Sequence, residues 1–194
     1  MSIAVIKYNA GNIRSVQIAL DRLRVSSVVT DDPDIIRSAE KVIFPGVGEA
    51  SSAMKYLKER NLDELILSLN QPVLGICLGL QLMCSYTEEG DTSCLGIFEN
   101  RVIRFPKKDK VPHMGWNSIT GLKGTLFKGI EDGSHVYFVH SYAAEPGEAQ
   151  IAETDYIMPF ASALQKDNFY ATQFHPEKSG DIGQIILKNF IKEV

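Results

Sequence analysis

Short apolar runs and amphipathic stretches alternate along the first half of the chain. The runs have strand length and end in turn-forming residues, whereas the stretches between them repeat apolar residues every three or four positions, as a helix does. This pattern predicts strands over residues 3–8, 27–30, 41–44 and 73–75. It also predicts a helix that begins near Asn12, followed by helices over residues 51–58, 62–68 and 78–86.

The second half changes character, because short β-like runs now alternate with Gly, Pro, Asp and Asn turns. We expect strands over residues 102–104, 136–140, 151–153, 161–164 and 169–174, and a final helix over residues 182–192. Strand–helix alternation followed by antiparallel-looking strands predicts an α/β protein with a mixed, mainly parallel central sheet flanked by helices. Because no linker or internal repeat interrupts the pattern, we expect a single domain over residues 1–194.

Composition and charge narrow the function classes. With 44% hydrophobic and 23% charged residues, the chain is typical of a globular protein, and its net charge of −4 gives no support for binding nucleic acid or an anionic membrane. We find no secretory signal and no run of roughly 18 apolar residues that a membrane helix needs. The three cysteines lack metal-pair spacing, so we expect a reduced, cytoplasmic protein without a metal or cofactor.

One cysteine lies where a nucleophile is expected. Cys77 is the centre of a Gly-Ile-Cys-Leu-Gly segment that follows a buried strand and precedes a helix. Glycines two positions to either side permit a sharp turn, and the turn leaves the thiol exposed above the sheet, as in a nucleophile elbow. A glycine-flanked cysteine in a buried strand–turn–helix can also arise without catalytic meaning.

A base and a carboxylate follow about a hundred residues later, in Gln-Phe-His-Pro-Glu. Two positions apart on a strand, His175 and Glu177 would point to the same face and complete a Cys-His-Glu triad. The Pro-Gly-Val-Gly loop at residues 45–48 could supply an oxyanion donor at Val47, and the amide of Leu78 a second one. Since acyl transfer needs nucleophile, base and oxyanion donors together, the three segments support one another.

These segments resemble the two signatures of the class I, triad-type glutamine amidotransferases, whose fold is flavodoxin-like. The finer segments, Glu-Glu-Gly at residues 88–90, Pro-His-Met-Gly-Trp-Asn at residues 112–117, Tyr-Phe-Val-His-Ser-Tyr at residues 137–142 and Lys-Ser-Gly at residues 178–180, are similar to the glutaminase subunits of imidazole glycerol phosphate synthases within that family. The resemblance implies that glutamine is hydrolysed to glutamate and ammonia through a thioester on Cys77. It also implies that Gly48, Gln81, Ser141 and Tyr142 hold the amino-acid end of glutamine.

The same resemblance implies a heterodimer with a (β/α)₈-barrel cyclase subunit in histidine biosynthesis. That subunit would use the ammonia to make imidazole glycerol phosphate and aminoimidazole carboxamide ribonucleotide. The positions that would face it are Asn12, Pro112, Met114, Trp116, Tyr137 and Lys178. From the residues alone, Asn12 is also a plausible helix N-cap and Trp116 could pack on its own domain.

Departures from the family pattern fall outside the triad. Lys7 replaces an aspartate, Asn9 a glycine and Ala143 a tyrosine that commonly follows Ser-Tyr. Two other interpretations stay open: the glutaminase of another synthase (anthranilate, aminodeoxychorismate or pyridoxal phosphate), and a non-catalytic binding module that reuses the cysteine elbow. The glycines beside Val47 further suggest that its peptide can reorient; we expect the partner to turn it inward and the free subunit to keep it turned away.

Overall fold

The computed structural model describes residues 2–8 and 11–194. Its first half alternates strands and helices as the apolar pattern predicts. The strands are β1 (Ile3–Ile6), β2 (Ser27–Thr30), β3 (Lys41–Phe44) and β4 (Val73–Ile76). The helices are α1 (Ile13–Arg22), α2 (Pro33–Ser38), α3 (Ala50–Glu59), α4 (Leu62–Leu67) and α5 (Leu78–Met83).

The second half is built mainly of strands. They are β5 (Tyr86–Thr87), β6 (Thr92–Ser93), β7 (Arg101–Arg104), β8 (His113–Ser118), β9 (His135–His140), β10 (Tyr142–Ala144), β11 (Gln150–Tyr156), β12 (Met158–Lys166) and β13 (Phe169–Thr172). Single 3₁₀ turns lie at Thr125–Phe127 and Pro176–Lys178, and helix α6 (Gly180–Lys192) follows the second of them.

An 11-stranded sheet forms the centre, in the order β2-β1-β3-β4-β13-β12-β10-β7-β5-β6, with β11 paired to β12. The pairs from β2 to β13 are parallel, and the pairs from β13 to β7 are antiparallel. This arrangement confirms the predicted mixed sheet and gathers the parallel strands in the half that carries Cys77. Strands β8 and β9 pair separately as a two-stranded ribbon.

The central strands are apolar because both of their faces are covered. Every residue of β1, β3, β4 and β13 is buried, as expected of parallel strands between helical layers. Two apolar clusters fill the space on the two sides, one around Phe44 and Leu57, the other around Phe138 and Phe190. Because β1, β3 and β4 run parallel, their carboxyl ends meet at one edge of the sheet, where the loops of the candidate site begin.

Several predicted boundaries were wrong. The first strand ends at Ile6 rather than at residue 8, and α5 ends at Met83 because the chain then turns into β5. Helix α2 and strands β5, β6, β8 and β10 were not predicted. No helix among residues 2–8 and 11–194 is both long and apolar enough to cross a membrane.

Candidate active site

Cys77 occupies the sharp turn between β4 and α5. Its backbone has φ 53° and ψ −102°, a conformation that non-glycine residues rarely adopt. The turn is held by its neighbours, because the Cys77 amide donates to the Thr172 carbonyl at 2.7 Å and the Gln81 amide donates to the Cys77 carbonyl at 3.2 Å. The strained turn of a nucleophile elbow, expected from the Gly-Ile-Cys-Leu-Gly segment, is therefore present.

The two flanking glycines are required by close packing. A Cβ on Gly79 would overlap the carbonyl oxygen of Phe44 on the neighbouring strand. On Gly75 it would lie 2.8 Å from the sulfur of Met83 and 3.0 Å from the carbonyl carbon of Gly79. Because the turn folds its own two arms onto each other, neither position has space for a side chain.

His175 and Glu177 come together by a route that differs from the predicted one. They do not lie on a strand, because β13 ends at Thr172 and Pro176–Lys178 form a 3₁₀ turn that brings the carboxylate back under the ring. His175 Nδ1 lies 2.7 Å from Glu177 Oε1, and both side chains are fully buried. A carboxylate on Nδ1 fixes the proton there and leaves Nε2 as the reactive nitrogen.

The buried triad controls the charge of its histidine. Burial alone lowers the pKa of His175, but the negative charge of Cys77 and the contacts with Cys77 and Glu177 outweigh it and raise that pKa to about 10. His175 Nε2 and Glu177 Oε2 are buried and have no hydrogen-bond partner among the described residues. The imidazole is thus held beside the thiol with its proton retained at neutral pH.

Asn12 belongs to this group of side chains. It occupies the predicted N-cap position of α1, in the left-handed conformation with φ 71°, but its side chain makes no helix-capping hydrogen bond. The amide instead donates to Glu177 Oε1, and its nitrogen lies 3.4 Å from His175 Nδ1. Asn12 thereby links the start of α1 to the carboxylate that orients the base.

Gln173 contacts the thiol, although sequence analysis assigned it no role. Its side-chain nitrogen lies 3.7 Å from Cys77 Sγ, and its oxygen accepts from Gln81 Nε2 at 3.2 Å. Gln81 also donates to the Tyr142 carbonyl at 2.9 Å. The buried Gln81 side chain therefore connects the Tyr142 segment to the thiol through Gln173. The Gln-Phe-His-Pro-Glu motif thus contributes Gln173 as well as His175 to the surroundings of Cys77.

The predicted oxyanion donors do not converge in this structure. The amide of Leu78 donates to the carbonyl of Gly46 at 3.2 Å, and the carbonyl of Val47 accepts from the amide of Gly11 at 3.1 Å. Since the C=O and N–H of a trans peptide point in opposite directions, a Gly46 carbonyl that faces Leu78 directs the Val47 N–H away from it. Gly48 follows with φ 142°, which only glycine adopts readily.

A cavity of about 220 Å³ opens above the thiol. This is smaller than the 300–1,000 Å³ of typical drug-sized pockets and suits a ligand the size of an amino acid. The residues around it are Val47, Gly48, Cys77, Leu78, Gln81, Glu89, Pro112, Val139, His140, Ser141 and Tyr142. The structure thus brings together the nucleophile, the predicted oxyanion residues and the predicted substrate-binding residues.

Glu89 is a cavity residue that sequence analysis missed. Burial raises the pKa of its carboxyl, the Ala50 amide that donates to it at 2.9 Å opposes that shift, and neighbouring Glu49 adds to it. A carboxylate at the rim of a small cavity can pair with an ammonium group. The only available signal was the Glu-Glu-Gly segment, which does not show that the chain turns back toward Cys77.

The residues expected to face a partner lie on and beside the β8–β9 ribbon. Met114 and Trp116 are 63% and 56% exposed, and Trp116 contacts Tyr137 edge-on, with ring centroids 6.1 Å apart. Trp116 therefore packs on its own domain only in part and leaves more than half of its surface exposed. Lys178 is also exposed, and Pro112 is exposed while lining the cavity.

Strand β9 lies between this exposed face and the triad. The Tyr137 carbonyl accepts from the His175 amide at 2.9 Å, and the Val139 carbonyl lies 3.9 Å from Cys77 Sγ. A displacement of β9 would therefore reach both reacting side chains through single contacts.

A buried pair of histidines lies on the covered face of the ribbon. His140 Nδ1 lies 2.8 Å from the Tyr142 carbonyl and must donate to it, so His140 Nε2 accepts from His113 Nδ1 at 3.0 Å. Asn117 then donates to His113 Nε2 at 3.3 Å, and the His113 ring stacks on Tyr156. Burial lowers the pKa of His113 to about 4 and of His140 to about 3.

The remaining expectations concern a metal ion and the departures from the family pattern. Within residues 2–8 and 11–194, no group of three or more His, Cys, Asp or Glu side chains is placed to hold a metal ion. Ala143, one of the departures from the family pattern, is buried in β10, Lys7 follows β1 in an exposed position, and Asn9 lies outside the described residues.

Comparisons with known proteins agree with this geometry. The family model of class-I glutamine amidotransferases matches residues 5–194. The imidazole glycerol phosphate synthase subunit HisH of Bacteroides fragilis is 62% identical over 195 residues, which cover 99% of this chain and 100% of that protein. HisH of Haemophilus influenzae is 46% identical over 196 residues, with 100% and 98% covered.

Solved structures support the fold independently. A glutamine amidotransferase crystal structure superposes with a TM-score of 0.75 at 18% identity, covering 97% of this chain and 98% of that one. A glutamine amidotransferase from Thermotoga maritima gives 0.65 at 17% identity, with 100% and 83% covered. The chain therefore belongs to the class-I glutamine amidotransferase family, among the HisH subunits of imidazole glycerol phosphate synthase.

Proposed function

We propose that the chain hydrolyses glutamine at Cys77 and passes the ammonia to a (β/α)₈-barrel cyclase subunit, with which it forms a heterodimer. The observation that carries this proposal is the buried His175–Glu177 pair beside the thiol, beneath a cavity of about 220 Å³. The whole chain would act as one glutamine amidotransferase domain. Because Cys77, Cys84 and Cys94 are all free thiols, we place it in a reducing compartment, the cytoplasm.

The first chemical step would be attack of the Cys77 thiolate on the side-chain amide carbon of glutamine. The raised pKa of His175 keeps its proton in place at neutral pH, so the imidazolium can give that proton to the leaving nitrogen. The C–N bond then breaks, ammonia departs, and a γ-glutamyl thioester remains on Cys77.

The second step would return the enzyme to its starting state. His175, now neutral, takes a proton from a water molecule that attacks the thioester carbon. The C–S bond breaks, glutamate leaves, and the thiolate is restored beside a protonated His175. Glu177 and Asn12 take no proton in either step; they hold the ring so that Nε2 faces the thiol.

Both steps pass through an oxyanion that needs two amide donors. In the present arrangement one of them, Leu78, is occupied by the Gly46 carbonyl. Rotation of the Gly46–Val47 peptide would free the Leu78 amide and at the same time aim the Val47 amide at the same point. We therefore assign the structure to a resting state in which the hole is closed, and we assign its opening to partner docking.

Glutamine would enter the cavity with its side-chain amide over Cys77 and its amino-acid end toward the rim. The carboxylate end would bind backbone groups of Gly48, Ser141 and Tyr142, which line the cavity, and the hydrogen bond from Gln81 would keep the Tyr142 segment in place. The Glu89 carboxylate would pair with the α-ammonium group, a role for which the cavity offers no second carboxylate among its lining residues.

The partner would dock on the exposed face of the β8–β9 ribbon. Trp116 and Met114 present apolar surface there, which suits the centre of an interface, and Tyr137 and Lys178 lie next to them. Asn12, which touches Glu177, would sit between the triad and the barrel. Ammonia released at Cys77 would then leave toward the partner instead of being protonated in bulk water.

The test is co-purification with the barrel cyclase, followed by a glutaminase assay of the complex, with and without the cyclase's nucleotide ligand, and of the free chain. We expect slow turnover by the free chain, strong stimulation in the liganded complex, and none with Cys77→Ala. Robust turnover by the free chain, unchanged by partner and ligand, would contradict the coupling. Retention of activity by Cys77→Ala, with no adduct from a glutamine-analogue electrophile, would support a non-catalytic module instead.

A further inference from the structure

Tyr8 places a hydroxyl group in the buried interior, shortly after β1. Tyr8 follows β1, is 4% exposed, and packs its ring against Phe44 at a centroid distance of 5.0 Å. Its oxygen has no hydrogen bond to any residue that the structure describes. Buried hydroxyls in native proteins are almost always satisfied, so an unsatisfied one beside an active site calls for an explanation.

The unpaired hydroxyl lies against the oxyanion loop. A Cβ on Gly46 would overlap the Tyr8 oxygen and would also lie 3.1 Å from Leu78 Cβ. Tyr8 and Leu78 therefore both border Gly46. In the resting state the Gly46 carbonyl accepts from the Leu78 amide and not from the Tyr8 hydroxyl.

The proposed rotation of the Gly46–Val47 peptide creates a need for a donor. When the Val47 N–H turns toward the Cys77 site, the Gly46 carbonyl must turn away from Leu78. Gly46 is buried, so its carbonyl would lose a hydrogen bond without replacement by water. A second donor beside Gly46, other than the Leu78 amide, would remove that cost.

We propose that the Tyr8 hydroxyl is this donor: it is unpaired in the resting state and receives the Gly46 carbonyl when the oxyanion hole opens. The inference rests on the proposed function, because it requires the rotation. Tyr8 would be a positioning residue, since it acts on the loop and does not touch substrate.

Tyr8 is suited to remain a donor throughout the reaction. Burial, and secondarily the charge of Cys77, raise the pKa of its phenol well above the ordinary value, so it keeps its proton. The hydroxyl is also placed on the strand next to the loop, because β1 and β3 are paired in parallel and end at the same edge of the sheet.

The test is Tyr8→Phe in the full complex with the barrel cyclase. Loss of one hydrogen bond that forms only in the open state should lower the kcat of the stimulated glutaminase about 10-fold and leave KM for glutamine unchanged. Because the hydroxyl has no partner among the described residues in the resting state, the melting temperature of the free subunit should stay the same or rise. Tyr170→Phe is the matched control: Tyr170 is buried in β13, its oxygen accepts from Gln165 at 3.3 Å, and its loss should spare kcat.

Three results would overturn the inference. One is a Tyr8→Phe complex with wild-type kcat; another is a fall in kcat accompanied by a lower melting temperature, which would indicate an ordinary structural role. A third is a shift in the pH dependence of Cys77 alkylation, which would mean that the hydroxyl acts on the thiol. If instead the wild-type complex shows no glutaminase activity, the proposed function itself fails, and the two failures are thereby distinguished.

Discussion

The amide of Leu78 donates a hydrogen bond to the carbonyl of Gly46 over 3.2 Å, across the turn that follows the nucleophile. That bond occupies one of the donors on which the chemistry depends. It also joins the loop after β3 to the elbow after β4. In the mechanism that we propose, rotation of the Gly46–Val47 peptide breaks this bond and opens the oxyanion hole.

Gly46→Ala should lower the stability of the fold and reduce the stimulation of the glutaminase by the cyclase. The added methyl would overlap the Tyr8 hydroxyl and crowd Leu78 Cβ, and we expect the free energy of unfolding to fall by about 1–3 kcal/mol, as in an overpacked core. Stimulation of the glutaminase by the cyclase should be largely lost. Urea denaturation and paired assays with and without partner measure the two effects.

Gly133→Ala is the control for that substitution. Gly133 has φ 87° and open space around its Cβ position, so alanine there carries backbone strain of about 1–2 kcal/mol without crowding the site. Its ratio of stimulated to basal activity should equal the wild-type ratio. Equal stimulation in both alanine variants would show that the loop does not rotate about Gly46.

Glu89→Gln should weaken substrate binding without slowing chemistry. The amide oxygen can still accept from the Ala50 amide, so only the charge is removed. Loss of a charged hydrogen bond to the α-ammonium group should raise KM for glutamine about 10- to 100-fold with kcat nearly constant. Glu88→Gln, in the adjacent exposed position, should behave as wild type; an unchanged KM in Glu89→Gln would remove the residue from the binding site.

Trp116→Ala should affect assembly and leave the fold intact. Its side chain is 56% exposed in the free subunit, so thermal unfolding should shift little. As an aromatic anchor at the centre of the docking face, it should weaken binding of the barrel cyclase by about 2 kcal/mol, or roughly 30-fold in Kd. Calorimetric titration measures this, and Leu67→Ala, at an exposed apolar position on α4, should leave Kd unchanged.

The His113–His140 pair should make the protein sensitive to acid. Unfolded histidines take up protons near pH 6.5, whereas burial holds the folded pKa values at about 4 and about 3. Below pH 6.5 the unfolded state therefore binds more protons, and stability falls as pH falls, by up to about 1.4 kcal/mol per pH unit for each histidine. The loss should continue to about pH 4 for His113 and about pH 3 for His140.

Urea denaturation at several pH values between 7 and 4 measures this slope. His113→Asn keeps a side-chain donor near the position of Nδ1 but does not titrate, so its slope should be about half that of the paired histidines. His135→Asn changes an exposed histidine and should leave the slope as in the wild type. A His113→Asn slope that matches the wild type would mean that the pair takes up protons in the folded state.

The central strands were predictable because burial on both faces leaves a continuous apolar run, as in β1, β3 and β4. Strand β8 was not, since its residues alternate between an exposed face with Met114 and Trp116 and a covered face with His113. A strand whose apolar residues point to solvent has the wrong pattern for a core strand. Its pairing with β9 is fixed by tertiary structure.

The triad was predictable because the nucleophile elbow is a local motif and its base and carboxylate are two positions apart. The mutual contact of His175 and Glu177 was expected, but through a strand, whereas a proline places Glu177 in a 3₁₀ turn. The contributions of Glu89 and Gln173 depend on how distant segments fold around Cys77. The orientation of the Gly46 carbonyl is set by the backbone dihedral angles around one peptide, and no sequence pattern predicts them.

The order of strands has a consequence for the growing chain. Strand β13 lies between β4 and β12 in the sheet, although it is the last strand to be synthesised. A nascent chain that has already exposed Cys77 therefore lacks both the neighbour of β4 and the imidazole that follows it. Until that final segment leaves the ribosome, the thiol has no base, and half-made copies cannot consume glutamine.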